Sequence, residues 1–292
     1  MKAPRFEYVR PTRLEDAIGA LAKHGSDAKA IAGGQSLVPM LAFRLAAPRL
    51  LVDIGRIPGL NQITVGGDGI ALGALVRWRD IERSDELRRA HPLLVEAVRH
   101  VAHYQIRNRG TVGGSLAHAD PAAEMPGIAV TCDAQIVVAG VRGRRTIPAA
   151  EFFVAALSTA LEPDELIVEV RLPPWPQGRR WAFEEFARRR GDFALAGVAL
   201  FYDVGADGRA ANAHVGAIGV GDVPLRLAAA EAVLERKLLT EPLIREAGAA
   251  AAASVNPADD IHAPGEYRRA LLGVLTERAL ARAAGLPLRE SA

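Results

Sequence analysis

The segment Pro173-Pro174-Trp175-Pro176-Gln177-Gly178 fits neither a sheet nor a helix, because its prolines remove amide donors and fix the backbone. The chain must break there, and the residues on each side must bury their own apolar surface. With 292 residues, half of them hydrophobic, both sides are long enough to do so. Short apolar runs punctuated by glycine precede the break, and longer strands followed by alanine-rich helices come after it.

Before the break, Phe6 to Val9 reads as a strand. Thr12 and Glu15 offer a capping box for a helix carrying Leu14, Ala17, Ile18 and Leu21, closed at Gly25. Ala28 to Ala32 reads as a buried strand ending in Gly33-Gly34. Ser36 is placed to cap a helix running to about Leu45, and Leu50 to Ile54 is a third strand. This β-α-β-α-β pattern defines a first part, residues 1–55. A hairpin over Gln62 to Leu75, helices at Trp78 to Arg83, Pro92 to His103 and Ala122 to Thr131, and strands at Gln135 to Ala139, Arg144 to Ile147 and Leu166 to Val170 form a second part, residues 56–175. Strands near Trp181 to Phe186, Ala194 to Asp203 and Ala210 to Ile218, followed by helices, make residues 176–292 a third. The fold class expected is α+β.

Composition excludes several functions. Lys plus Arg (36) nearly balance Asp plus Glu (34), and the arginines are scattered rather than interleaved with aromatics, which argues against a nucleic-acid surface. Cys132 is the sole cysteine, so an internal disulfide, a CxxC pair and an iron–sulfur cluster on this chain are all excluded. No run approaches the roughly 20 apolar residues of a membrane-spanning helix. Residues 1–10 lack the apolar stretch of a secretion signal, so a cytoplasmic protein is expected.

Two glycine pairs carry the chemistry. Gly33-Gly34 follows a strand, and Gly113-Gly114 lies beside Thr111. Glycine admits positive φ and lets a ligand approach the backbone, so consecutive N–H groups at such bends suit a diphosphate. Ser36 and Thr111 add hydroxyls. Alone, a Gly-Gly pair is more often a tight turn. The chain contains no GxGxxG and no GxxxxGK[ST], so the usual nicotinamide and P-loop fingerprints are missing.

Ala32-Gly33-Gly34-Gln35-Ser36-Leu37-Val38-Pro39, Gln105 to Ser115 and Arg190-Gly191-Asp192-Phe193-Ala194 together resemble the FAD-binding (medium) subunits of molybdenum hydroxylases, the aerobic carbon monoxide dehydrogenase and xanthine dehydrogenase group. The resemblance covers essentially the whole chain. It implies a vanillyl-alcohol-oxidase-type fold of two α+β subdomains enclosing FAD, with a C-terminal α+β domain covering the flavin. Cofactor contacts are implied for Ala32, Gly33, Gly34, Gln35, Ser36 and Leu37, and for Thr111, Val112, Gly113, Gly114 and Ser115. Asp120 matches an acid that binds the adenosine portion, and Phe193 a position beside the flavin ring. Gln35 stands where the family often has His, so no imidazole role carries over. The implied partners are an iron–sulfur small subunit, a molybdenum-cofactor large subunit and an external electron acceptor, in a dimer of heterotrimers.

A stand-alone flavin oxidase and a scaffold that has lost FAD remain alternatives to electron transfer. Asp120, beside His118 and Glu124, reads as a turn-starting Asp-Pro rather than a metal ligand. His100 and His103 lack a third ligand, Cys132 reads as a small buried hydrophobe, and the run Arg188-Arg189-Arg190 singles out no one arginine.

Overall fold

The computed structural model describes residues 2–287. It has two compact units, neither continuous in sequence. The first comprises the described residues up to Ser84 with His103–Ala119 and Ala134–Pro173; the second comprises Asp85–Ala102, Asp120–Asp133 and the described residues from Pro174 onward.

In the first unit, strands Glu7–Val9, Leu50–Asp53 and Ala28–Ile31 lie in that order in a wholly parallel sheet. The central strand is buried through its first three residues and paired along both edges, Leu51 being in register with Tyr8 on one side and Lys29 on the other. Helix Leu14–His24 lays Ala17, Ile18 and Leu21 into a core shared with Leu50 and Val52. Burying each such leucine or isoleucine contributes about 1.5–3 kcal/mol. The helix starts differently from the capping-box reading. Arg13, not Thr12, is the N-cap, and no side chain caps the helix. Gly25 ends it with φ 53°, donating its N–H to Leu21 O. Because the strands are parallel, Arg10, Ala32-Gly33 and Gly55-Arg56 all emerge from one edge of the sheet, its carboxyl edge.

The same unit holds a five-stranded antiparallel sheet, ordered Ile63–Gly66, Gly69–Gly73, Leu166–Leu172, Gln135–Gly140, Gly143–Pro148. Val137, Ala139, Leu166 and Val168 enter the same core as Leu50 and Val52, so one apolar interior holds both sheets.

In the second unit, strands Arg180–Phe186, Ala196–Val204, Ala210–Ile218 and Leu225–Arg226 form an antiparallel sheet. Helices Ala228–Leu234, Glu241–Ala253 and Gly265–Ala284 pack on it through a core rich in alanine. Small residues permit close helix packing: a Cβ at Gly248 would lie 2.9 Å from Gly273 O. Helix Glu124–Thr131 belongs here because every residue from Met125 to Thr131 is buried. It sits so tightly on strand Ala210–Ile218 that a Cβ at Gly127 would come within 2.5 Å of Ile218 Cγ2. The proline-rich segment is tied down by Trp175, whose ring meets His91 at 4.3 Å and Phe201 at 5.3 Å. Among the described residues, no helix is long and apolar enough to cross a membrane.

Candidate functional site

The carboxyl edge of a parallel sheet presents strand ends and helix starts to a ligand. At that edge Gly33 is forced to be glycine, since a Cβ there would lie 2.2 Å from Arg109 O. Gly34 adopts φ 73°, which side-chain-bearing residues rarely take. Val38 N–H donates to Gly34 O (3.0 Å) and Met40 N–H to Ser36 O (3.1 Å), starting helix Leu37–Ala42. The amides of Gly34, Gln35, Ser36 and Leu37 have no protein acceptor among the described residues. Ser36 is the N-cap residue, but its hydroxyl makes no capping bond. Gln35 turns its side-chain amide back onto Gly33 O at 2.9 Å.

The second glycine pair lies inside a helix, Val112–His118, where the sequence suggested only a glycine-rich connection. Val112 N–H donates to Val76 O (2.9 Å), Gly113 N–H to Ala74 O (2.9 Å) and Ser115 N–H to Thr111 O (3.0 Å). Gly114 N–H donates to Thr111 Oγ1 (3.1 Å), so Thr111 caps the helix. The amides of Val112, Gly113, Gly114 and Ser115 thus all donate within the protein, unlike those of the first turn. The glycines are needed for packing, because a Cβ at Gly113 would meet Ala74 Cβ at 2.6 Å. The two turns nevertheless adjoin. Gly33 lies against the backbone of Arg109 and Gly110, and a Cβ at Gly114 would be 3.9 Å from Ala32 Cβ.

Two clefts meet at Ala32, Gly33 and Arg109. One, of about 540 Å³, is lined by Tyr8, Ile31, Gly34, Gln35, Val38, Pro39 and Asp53. The other, of about 620 Å³, is lined by Arg10, Arg56, Asn61, Leu75, Arg77, Asp80 and Thr111 among others. Asp53, at the end of its strand, accepts from Tyr8 Oη and from Gly55 N–H (2.8 Å) and pairs with Arg10 at 3.0 Å. That hydrogen bond to Asp53 raises the Tyr8 phenol above its ordinary pKa.

Arg10, Arg56, Arg77, Tyr8 and Asp53 were not singled out from sequence, and Arg109 entered only within the stretch Gln105 to Ser115, with no role of its own. The available signal was position: Arg10, Asp53 and Arg56 stand at or just beyond the ends of strands the apolar runs had marked.

Asp120 and Phe193 lie in the second unit. Asp120 Oδ1 accepts from Ala122 N–H at 2.9 Å, a turn-forming bond, and Phe193 is exposed. Arg188, Arg189 and Arg190 are also exposed. No cluster able to hold a metal occurs among the described residues. Cys132 is buried, and desolvation pushes its thiol up to about 12.

The family described as "FAD binding domain in molybdopterin dehydrogenase" matches residues 4–175, and "CO dehydrogenase flavoprotein C-terminal domain" matches residues 181–283. The chain belongs to the FAD-binding medium subunits of molybdenum hydroxylases. This medium subunit is 42% identical to the 6-hydroxypseudooxynicotine dehydrogenase complex subunit alpha of Paenarthrobacter nicotinovorans, over 97% of the chain and 96% of the relative. It is 38% identical to the carbon monoxide dehydrogenase medium chain of Hydrogenophaga pseudoflava, over 96% and 97%. A solved carbon monoxide dehydrogenase from Hydrogenophaga pseudoflava superposes with TM-score 0.95 at 39% identity, covering 98% of this chain and 99% of that one. Quinoline 2-oxidoreductase from Pseudomonas putida 86 gives 0.93 at 36%, with the same coverage.

The medium subunit is thus part of an oxidoreductase whose cofactor is FAD. Its own residues fit that group. Gly33 leaves space that only a hydrogen can occupy, and four consecutive amides stand without acceptors, the first two at a cleft that Arg109 also lines. Such donors suit a diphosphate.

Proposed function

We propose that this subunit is the electron outlet of a heterotrimer, drawing electrons from an iron–sulfur small subunit and delivering them to an external acceptor. A molybdenum-cofactor large subunit oxidises and selects the substrate, and two heterotrimers pair. When bound, flavin would supply electron exchange singly or in pairs, which suits a junction between a one-electron cluster and a two-electron acceptor. The chain's own task is to bind and orient that group. Gly34 to Leu37 donate amides to the diphosphate, Ala32 and Gly33 allow its approach, and Ser36, Thr111 and Ser115 supply hydroxyls from two sides. Val112, Gly113 and Gly114 hold the second wall of the site in place. Asp120 meets the adenosine portion and Phe193 the flavin ring, which assigns residues 1–55 and 56–175 to cofactor binding and 176–292 to covering it. The separation of the first unit into a parallel and an antiparallel sheet supports the first boundary, and the family matches support the second.

The observation that carries this reading is the run of acceptor-free amides from Gly34 to Leu37, which follows Gly33 packed against Arg109 and opens at Gly34 and Gln35 to a cleft. A scaffold that had lost FAD would have no need to keep it. The test is to purify the chain, record flavin absorbance and stoichiometry, and mix it with reduced iron–sulfur partner. Rapid bleaching of the flavin by the partner is expected, with no turnover of small organic reductants by the chain alone. A colourless chain that cannot be reconstituted, or one that oxidises a substrate unaided, overturns the reading.

A further inference from the structure

The larger cleft of the first unit has an unbalanced charge. Arg10, Arg56, Arg77 and Arg109 line it, against the single carboxylate of Asp80. Arg10 is committed to Asp53 at 3.0 Å, and Asp80 to Arg79 at 3.5 Å. Arg56, Arg77 and Arg109 form no ion pair with a carboxylate among the described residues, and all three are exposed.

Their backbones are nonetheless fixed. Arg109 presents its carbonyl to Gly33, at a contact no Cβ could enter. Arg77 pairs with Thr111 in an isolated antiparallel bridge, and its N–H donates to Asp80 Oδ2 at 3.3 Å. Arg56 follows Gly55, whose N–H is held by Asp53 Oδ1 at 2.8 Å, in a turn closed by Ile57 N–H to Ile54 O at 3.1 Å. Three unpaired guanidiniums on anchored positions repel one another until an anion arrives. Main-chain amides orient a diphosphate but carry no net charge to neutralise it, whereas guanidinium forks do both.

Resting on the FAD reading above, we infer that Arg56, Arg77 and Arg109 form a charge-neutralising clamp for the dinucleotide diphosphate. They make flavin retention by this subunit depend on ionic strength. The clamp acts beside the amide turn and does not replace it. Because the three side chains are exposed, salt screens them, while the amide contacts are largely insensitive to it.

The experiment strips flavin from the full chain and titrates FAD, following quenching of flavin fluorescence at about 0.05 M and about 0.5 M salt, where screening differs strongly. Arg56→Gln, Arg77→Gln and Arg109→Gln are each expected to weaken FAD binding about tenfold at low salt, converging toward the unmodified chain at high salt. Arg→Lys at the same positions keeps the charge, and so keeps the salt dependence. Arg144→Gln, exposed on strand Gly143–Pro148, serves as the control and leaves both unchanged. Thermal melting confirms that each variant is folded, and Arg→Met, which also removes the charge, carries the test wherever Arg→Gln does not fold. An unmodified chain that binds no FAD defeats the functional reading itself. Charge-removing variants of Arg56, Arg77 and Arg109 that bind FAD with unaltered affinity and unaltered salt dependence overturn the clamp and leave that reading standing.

Discussion

Gly33-Gly34 and Gly113-Gly114 look alike in sequence and do opposite work. At the first pair the glycines open the backbone: the amides that follow are free, and Arg109 fills the space a side chain would need. At the second they close it, since the amides of Val112, Gly113, Gly114 and Ser115 all donate within the protein, and the missing Cβ atoms let the helix sit on Ala74 and Thr111. A glycine pair therefore signals close approach without saying what approaches. The answer comes from accounting for each amide.

The largest expected effect separates the two turns directly. Gly33→Ala places a methyl 2.2 Å from Arg109 O, and because that atom is backbone the turn must move. Flavin content should fall by a factor of about 100 or more, read from absorbance per chain, with a loss of at least about 3 kcal/mol in binding. Gly113→Ala, at 2.6 Å from Ala74 Cβ, should instead cost about 1–3 kcal/mol of folding stability, measured by denaturant unfolding with FAD absent. Were it to reduce flavin affinity at unchanged stability, the second turn would be a ligand turn after all.

Smaller effects sharpen the contrast. Thr111→Ala removes the cap on Gly114 N–H and should cost about 1 kcal/mol, seen as a lower melting temperature of the flavin-free chain. Gln35→Ala removes the 2.9 Å bond to Gly33 O, so the expectation is a loss of about 0.5–1 kcal/mol in stability of the flavin-free chain, read as a slightly lower melting temperature.

Much of this architecture was legible before the structure. The apolar runs at Ala28 to Ala32 and Leu50 to Ile54 both marked strands, and burial followed for Leu50 to Val52, whereas of Ala28 to Ala32 only Ala28 is buried, with Lys29 exposed on an edge strand. The proline-rich break was equally plain. Helix Val112–His118 was not, because two glycines early in a segment speak against helix, and what holds it is tertiary: the carbonyls of Ala74 and Val76 lie far away in sequence. Thr12 and Glu15 matched a capping pattern that the backbone does not use, since the helix begins one residue late for it. The arginines of the cleft were invisible for a simpler reason. Arg10, Arg56, Arg77 and Arg109 are scattered along the chain: Arg10 and Arg56 follow parallel strands to one sheet edge, while Arg77, at a helix start bridged to Thr111, and Arg109, beside Gly33, are brought there by tertiary contacts.

Amide hydrogen exchange of the flavin-free and FAD-loaded chain, resolved to short peptides, puts the difference between the turns to direct trial. The expected result is strong new protection across Gly34 to Leu37 on loading, while Val112 to Ser115 exchange slowly in both states and change little. Protection gained at Val112 to Ser115 with none at Gly34 to Leu37 would contradict the account.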